Sequence, residues 1–331
     1  MTLPSFTRRL ALAAALALGV ASCGGDDNKT GGAPTELTFS ILSAEGQASS
    51  GPLWQPLLDD MSKAVGMPVK PYFGSNYTVL VEAMRGGHTQ VAWFSAKPAV
   101  EAIDRADAEV IARIVDPEGR DSYQSTLIVK AGSGITLEDV LACGKRYDFG
   151  IGDAQSTSGT LAPMTFLFNP RGIAPAECFA TVRAANHQAN AFGVATGVLD
   201  VATSNTVNTV FLQRQNPQVA AQIEEIWQSP PIPESGIVVR EDLDPALKEK
   251  LRSFFLTYGQ GEGAEAERQR KVLAGLNYSR FNPADDSYLN PIREMVADQQ
   301  LIEARASGDA ARIAAAEREL QRLRSLREVQ P

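Results

Sequence analysis

Histidine is almost absent from this 331-residue sequence, which has only His88 and His187, and cysteine is nearly as scarce, with three. No cysteine has a second ligand at a usable spacing, which argues against a zinc centre and against a metal-dependent phosphatase. Basic residues are in the minority, 31 Lys plus Arg against 39 Asp plus Glu, for a formal charge of −8. An acidic balance argues against nucleic acid as a partner, because phosphate backbones demand clustered Lys and Arg. No serine of interest stands in a G-x-S-x-G elbow, and no acid is placed by sequence as the third member of a Ser–His pair, so the chain is not expected to be an enzyme. No internal repeat is evident, and no cofactor is implied.

What is present begins with MTLPSFTRRLALAAALALGVAS: two arginines, a Leu/Ala-rich run too short for a comfortable membrane span, then small residues. That pattern predicts a secretory signal over residues 1–22. Its end, Val20-Ala21-Ser22-Cys23, resembles the bacterial lipobox, which implies a lipid anchor on Cys23 and a membrane-attached position in the periplasm or cell envelope. Ordinary secretion with a free Cys23 is the alternative, and the Arg8-Arg9 pair is a loose match to twin-arginine export. The polar, Gly-rich stretch 23–36 reads as a flexible linker. Removing residues 1–22 takes away two arginines and no acid, moving the formal charge from −8 to about −10. The two cysteines left, Cys143 and Cys178, favour a disulfide in an exported chain, one that would brace the segment between them.

Beyond residue 36 strand-like and helix-like segments alternate. ELTFSILS, MPVKPYFG and TQVAWFS read as strands; GPLWQPLLDDMSKAVG, TVLVEAMRGG and KPAVEAIDRA read as helices, the last with Pro98 in its first turn. After YQSTLIVKA the alternation resumes through YDFGIGD, GTLAPMTFLF, FATVRAAN and VLDVATSN. Such alternation predicts parallel α/β sheets. About three hundred residues suit two lobes: lobe I from 37–126 and 236–290, lobe II from 127–235, joined by two crossings in a clamshell with its site at strand C-termini. The segment 291–331 is predicted helical. Ile313, Ala316, Leu320 and Leu323 stand at coiled-coil spacing, suited equally to packing on their own lobe or to a homodimer seam.

Within lobe II the stretch GDAQSTSGTLAP, 152–163, carries Ser156, Thr157, Ser158 and Gly159 between a strand and a helix. Hydroxyls and backbone N–H groups at a helix start suit a tetrahedral oxyanion, and they do so without a neutralising lysine. An ordinary capping turn is the alternative.

Taken in order, FSILSAEGQASSGPLWQPLLDDMSKAVGMPVKPYFGSNYTVLVEAMRGG, VAWFSAKPAVEAIDRA, GDAQSTSGTLAP, AANHQANAFGV, VLDVATSNT, SPPIPESGIVV and LNPIREM resemble the phosphate/phosphite/phosphonate solute-binding proteins of ABC importers, over residues 37–297. The resemblance implies a type II periplasmic-binding fold, an inner-membrane permease as partner, and an oxyanion cradle at Ser156, Thr157 and Ser158, with Gly159 supplying backbone. It also carries over His187 from AANHQAN, Tyr77 from SNYTVL and Tyr123 from SYQSTL as ligand residues. Core or cleft-edge packing is the alternative for each of these three. Ser95 and Lys97 are weaker candidates for the facing wall, with helix capping as the alternative.

Members of that family that take up 2-aminoethylphosphonate carry carboxylates toward the ligand's ammonium. Here the first such position is Val207 and the second falls on Ser235, with Glu234 one residue away. Burying an ammonium against valine costs several kcal/mol, on the order of a buried unpaired charge. The expected ligand is therefore phosphite, methylphosphonate or a similar short phosphonate. Phosphate and 2-aminoethylphosphonate are alternatives, as is a sensing role with a signalling partner instead of a permease.

Overall fold

Two sheets built from interleaved parts of the chain set the architecture. The computed structural model describes residues 35–42, 47–74 and 76–329. The signal segment and Cys23 lie outside the described residues, as does most of the linker. The strands run β1 (Leu37–Ile41), β2 (Val69–Phe73), β3 (Val91–Phe94), β4 (Ala108–Val115), β5 (Ser122–Tyr123), β6 (Ser125–Lys130), β7 (Asp148–Ile151), β8 (Thr181–Ala184), β9 (Val201–Asn205), β10 (Ile223–Gln228), β11 (Ile232–Pro233), β12 (Gly236–Arg240) and β13 (Arg280–Pro283). The first sheet has the order β13-β4-β12-β3-β1-β2 and the second β10-β6-β9-β7-β8. This is a mixed α/β fold of two lobes.

Between the sheets the chain crosses twice. β5 leads out of the first sheet into the second, β11 leads back, and the two crossings pair antiparallel, Tyr123 opposite Ile232 and Ser122 opposite Pro233. Parallel pairing holds for β1 with β2 and β3, and for β7 with β8 and β9. The expectation of wholly parallel sheets is corrected at the returning strands: β12 pairs antiparallel with both β3 and β4, and β13 with β4. In the second sheet β6 is antiparallel to β9 and to β10. A strand entering from the opposite lobe meets its new sheet from the far end, which reverses its direction.

The helical periodicity of GTLAPMTFLF is realised as wide turns, Thr157–Leu161 and Met164–Phe168, in which Leu161 N bonds Ser156 O. Pro163 has no N–H to donate, and such widened turns recur at functional sites. At the other end of the chain, helix Asn290–Ser307 packs against Ala310–Val329 as a hairpin. Leu320 and Leu323 are buried there against Ala297, Leu301 and Ala304, with Ile313 and Ala316 packed alongside. The coiled-coil face is thus covered within one chain, and the homodimer seam is corrected to an intramolecular contact.

Cys143 and Cys178 form a disulfide across 35 residues. Cys178 is buried with Phe149, Phe168 and Phe179, and Phe149 stacks on Phe179 at 4.2 Å. The bridge therefore braces the core under β7, the strand that launches the 152–158 loop. A loop of this length predicts a loss of about 4 kcal/mol in urea unfolding when Cys143 and Cys178 are both replaced by serine; a loss under about 1 kcal/mol would contradict the bracing role.

Candidate ligand-binding site

Strand ends and helix starts converge on one cavity of about 50 Å³ between the sheets. Ser95 directly follows β3, Asp116 directly follows β4 and Asn205 ends β9, while β12, running the other way, begins just after Glu234 and Ser235; all of these residues line the cavity. Helices beginning at Tyr77, Ala96, Thr157, His187 and Thr206 open toward it. Helix N-termini carry unpaired N–H groups and partial positive charge, so this convergence favours an anion without any lysine in the lining. One water needs roughly 10–15 Å³ on this scale, so the space takes roughly three to five water-sized groups.

Ser158 stands at the centre of the donors. Its hydroxyl lies 3.2 Å from His187 Nε2 and receives a hydrogen bond from Asn205 Nδ2 at 3.1 Å. Asn205 is held in turn by its own helix, its Oδ1 accepting from Asn208 N at 2.7 Å. The Ser158 carbonyl accepts from Ser125 Oγ at 2.6 Å, which fixes the loop to β6. Tyr123 leans on the Ser158 and Thr157 hydroxyls; burial first, and then the Glu234 carboxylate, raise its phenol above the ordinary tyrosine range.

His187 is 2% exposed. Burial lowers its pKa to about 4, offset only in part by the Thr203 backbone beside the ring. Its Nδ1 does not reach good hydrogen-bond geometry there. The imidazole is therefore neutral at pH 7 and offers an oxyanion a dipole, not a full charge. Glu234 is also buried, with Oε1 accepting from Ser235 N at 2.8 Å, and burial raises its pKa, with nearby Asp116 acting the same way. Asp116 is itself bound by Arg120, at 2.8 Å to the backbone N and 2.7 Å to Nε.

Of the residues expected from sequence, Tyr77, Tyr123, Ser156, Ser158, His187, Val207, Ser95 and Ser235 line the cavity, and so does Glu234. Thr157, Gly159 and Lys97 do not. The Gly159 N–H is used by the Ser156 hydroxyl at 2.9 Å and its carbonyl accepts from Gly152 N at 2.9 Å, so it supplies no backbone donor to a ligand. Its lack of a side chain serves close packing: an added Cβ would stand 2.7 Å from Ser156 Oγ and 2.8 Å from Gly152 Cα. Ser156 both caps its helix and faces the cavity, so the capping and ligand-binding alternatives are not exclusive. The Thr157 hydroxyl and the Lys97 side chain are taken up with each other's lobes. Trp54, Asp116, Asn205, Asn277 and Tyr278 also line the space without having been singled out individually.

A family profile described as "ABC transporter, phosphonate, periplasmic substrate-binding protein" matches residues 39–289. The phosphonates-binding periplasmic protein of Escherichia coli is 36% identical over 266 residues, covering 80% of this chain and 77% of that one. Among solved structures, a binding-protein component of a Pseudomonas aeruginosa ABC phosphonate transporter is similar with a TM-score of 0.83 at 37% identity, covering 88% of this chain and 98% of its own. A Prochlorococcus marinus protein in complex with methylphosphonate shares the fold, with a TM-score of 0.70 at 22% identity over 79% of this chain and 97% of its own.

The His187 pKa has a stability consequence. An unfolded histidine titrates near 6.5, whereas the folded ring resists its proton until about pH 4, so stability from this residue is complete above about pH 6.5 and is lost as pH falls toward 4. Urea midpoints at pH 7 and pH 4.5 are expected to lie closer together in His187→Gln than in the wild type; an unchanged gap would contradict the neutral, buried ring.

Proposed function

The chain belongs to the periplasmic phosphonate substrate-binding proteins of ABC transporters, and from that premise we propose that it closes its two lobes over a small phosphorus oxyanion: phosphite, methylphosphonate or a similar short phosphonate. As a substrate-binding protein it is not an enzyme, and its family gives it a membrane permease as partner. The observation that carries the ligand reading is a cavity of about 50 Å³ that Val207 shares with the neutral donors Ser156, Ser158 and His187. Ligand oxygens are bound by hydroxyl, imidazole and helix N–H groups, and the remaining substituent on phosphorus meets valine. A P–H or P–CH3 group suits that contact, whereas a P–OH left unpaired there costs about 1–3 kcal/mol.

Glu234 supports a second reading. It is a buried carboxylate on the cavity wall with no ion pair to a basic residue among the described residues, and its hydrogen bond comes from the Ser235 backbone. An ammonium group on the ligand would supply the missing partner, which favours 2-aminoethylphosphonate in spite of Val207. The lipobox-like sequence supports export and anchoring through Cys23.

Isothermal titration calorimetry of the phosphate-free protein against phosphite, methylphosphonate, phosphate and 2-aminoethylphosphonate decides between these. Phosphite or methylphosphonate is expected to bind at least about tenfold more tightly than the other two, and Val207→Asp is expected to shift preference toward the aminated ligand. Tightest binding of 2-aminoethylphosphonate, abolished in Glu234→Gln, would replace the first reading by the second. No heat with any of the four would remove the oxyanion reading altogether.

A further inference from the structure

Helix Ala96–Ala106 has serine at its N-cap, but Ser95 makes no side-chain capping bond. The cap comes from the other lobe. Lys97 N donates to Thr157 Oγ1 at 2.8 Å, and Thr157 Oγ1 donates to Ser95 Oγ at 3.3 Å. In return the Lys97 ammonium donates to the Ala154 carbonyl at 2.6 Å, on the same loop. One lobe thus satisfies a helix end of the other, and a lysine of the first satisfies a loop carbonyl of the second. Lys97 is 7% exposed and Thr157 fully buried.

We propose that Lys97 and Thr157 form a reciprocal clasp that fastens the lobes in the ligand-bound form and holds the Ser156–Ser158 loop in its binding position. The proposal rests on the clamshell reading above and adds to it two residues that touch no ligand. In an opened cleft the Lys97 ammonium, the Lys97 N–H and the Ala154 carbonyl would all return to water, so every bond of the clasp depends on closure. Burial holds the Lys97 ammonium below the ordinary lysine pKa, with Glu101, Glu303 and Asp153 acting the other way. Engaging it therefore carries a desolvation cost, which ligand contacts offset. The clasp also explains why Lys97 and Thr157, on facing lobes beside the cavity, are absent from its wall: they act on the position of the donors and so are positioning residues.

The test compares full-chain wild type, Lys97→Met and Thr157→Val for methylphosphonate binding by calorimetry and stopped flow, with ligand-free melting temperatures alongside. Each variant is expected to raise the dissociation rate and Kd about tenfold, to leave the association rate and ligand-free melting unchanged, and to lose little more when combined with the other. Unchanged dissociation rates in both variants overturn the clasp, as does a ligand-free melting temperature lowered as far as the ligand-bound one. Should a variant not fold, acetic anhydride labelling of wild-type Lys97, read by mass spectrometry against exposed Lys130, takes its place: methylphosphonate must slow labelling of Lys97 alone, and equal labelling overturns the clasp. Wild-type protein that binds methylphosphonate while both variants match it sinks the clasp and spares the functional reading. Wild-type protein that binds none of the four ligands sinks the functional reading and with it the clasp, which is defined on the ligand-bound form.

Discussion

A site that lacks a fixed countercharge has to hold an anion with dipoles alone. The whole site follows from that constraint. Among the described residues its lining contains no lysine or arginine; it presents hydroxyls, an amide, a neutral imidazole and helix N-termini. Each is weak alone, and together they work because burial removes competing water. The α/β arrangement supplies such donors almost without further design, since every parallel strand that ends at the cleft hands the chain to a helix whose N-terminus faces back toward it. Lys97, a basic side chain buried nearby, turns away to a backbone carbonyl.

Much of this was legible in the sequence, because the signals are local. Alternating strand and helix patterns located β1, β3, β7 and β9, and the S-T-S-G run with the following N-H and S-N-T segments marked Ser156, Ser158 and His187. Asn205 was within reach, since the S-N-T segment contains it; its double role as helix cap and Ser158 donor needed coordinates. That Val207 faces the cavity was not readable from its motif position and is seen only in the fold.

What sequence could not carry depends on pairing across long separations. Asn277 and Tyr278 reach the cavity because β13 lies antiparallel on β4, which brings residues just before β13 to the end of β4 at Val115, next to Asp116. β4 itself went unread. Gly159 illustrates a different limit: a glycine in an anion-binding motif suggests free backbone, whereas here its N–H is spent on a cap and its smallness on contact with Gly152. Thr157 sits in the motif yet turns its hydroxyl to the opposite lobe, and a one-dimensional motif does not encode which lobe a side chain faces. Glu234 and Ser235, adjacent in sequence, both reach the wall, so the choice between them was not one that sequence needed to make.

The position of β12 governs when the protein can come together. This strand lies between β3 and β4, at the middle of the first sheet, yet it is synthesised only after the entire second lobe. Until residues 236–240 arrive, β3 and β4 have no neighbour to join them, and closing so long a loop is entropically slow. The first half of the chain cannot settle early into a finished globule. Completion of the first sheet is therefore tied to completion of the whole second lobe, and a chain cut between the two would leave the first sheet without its middle strand.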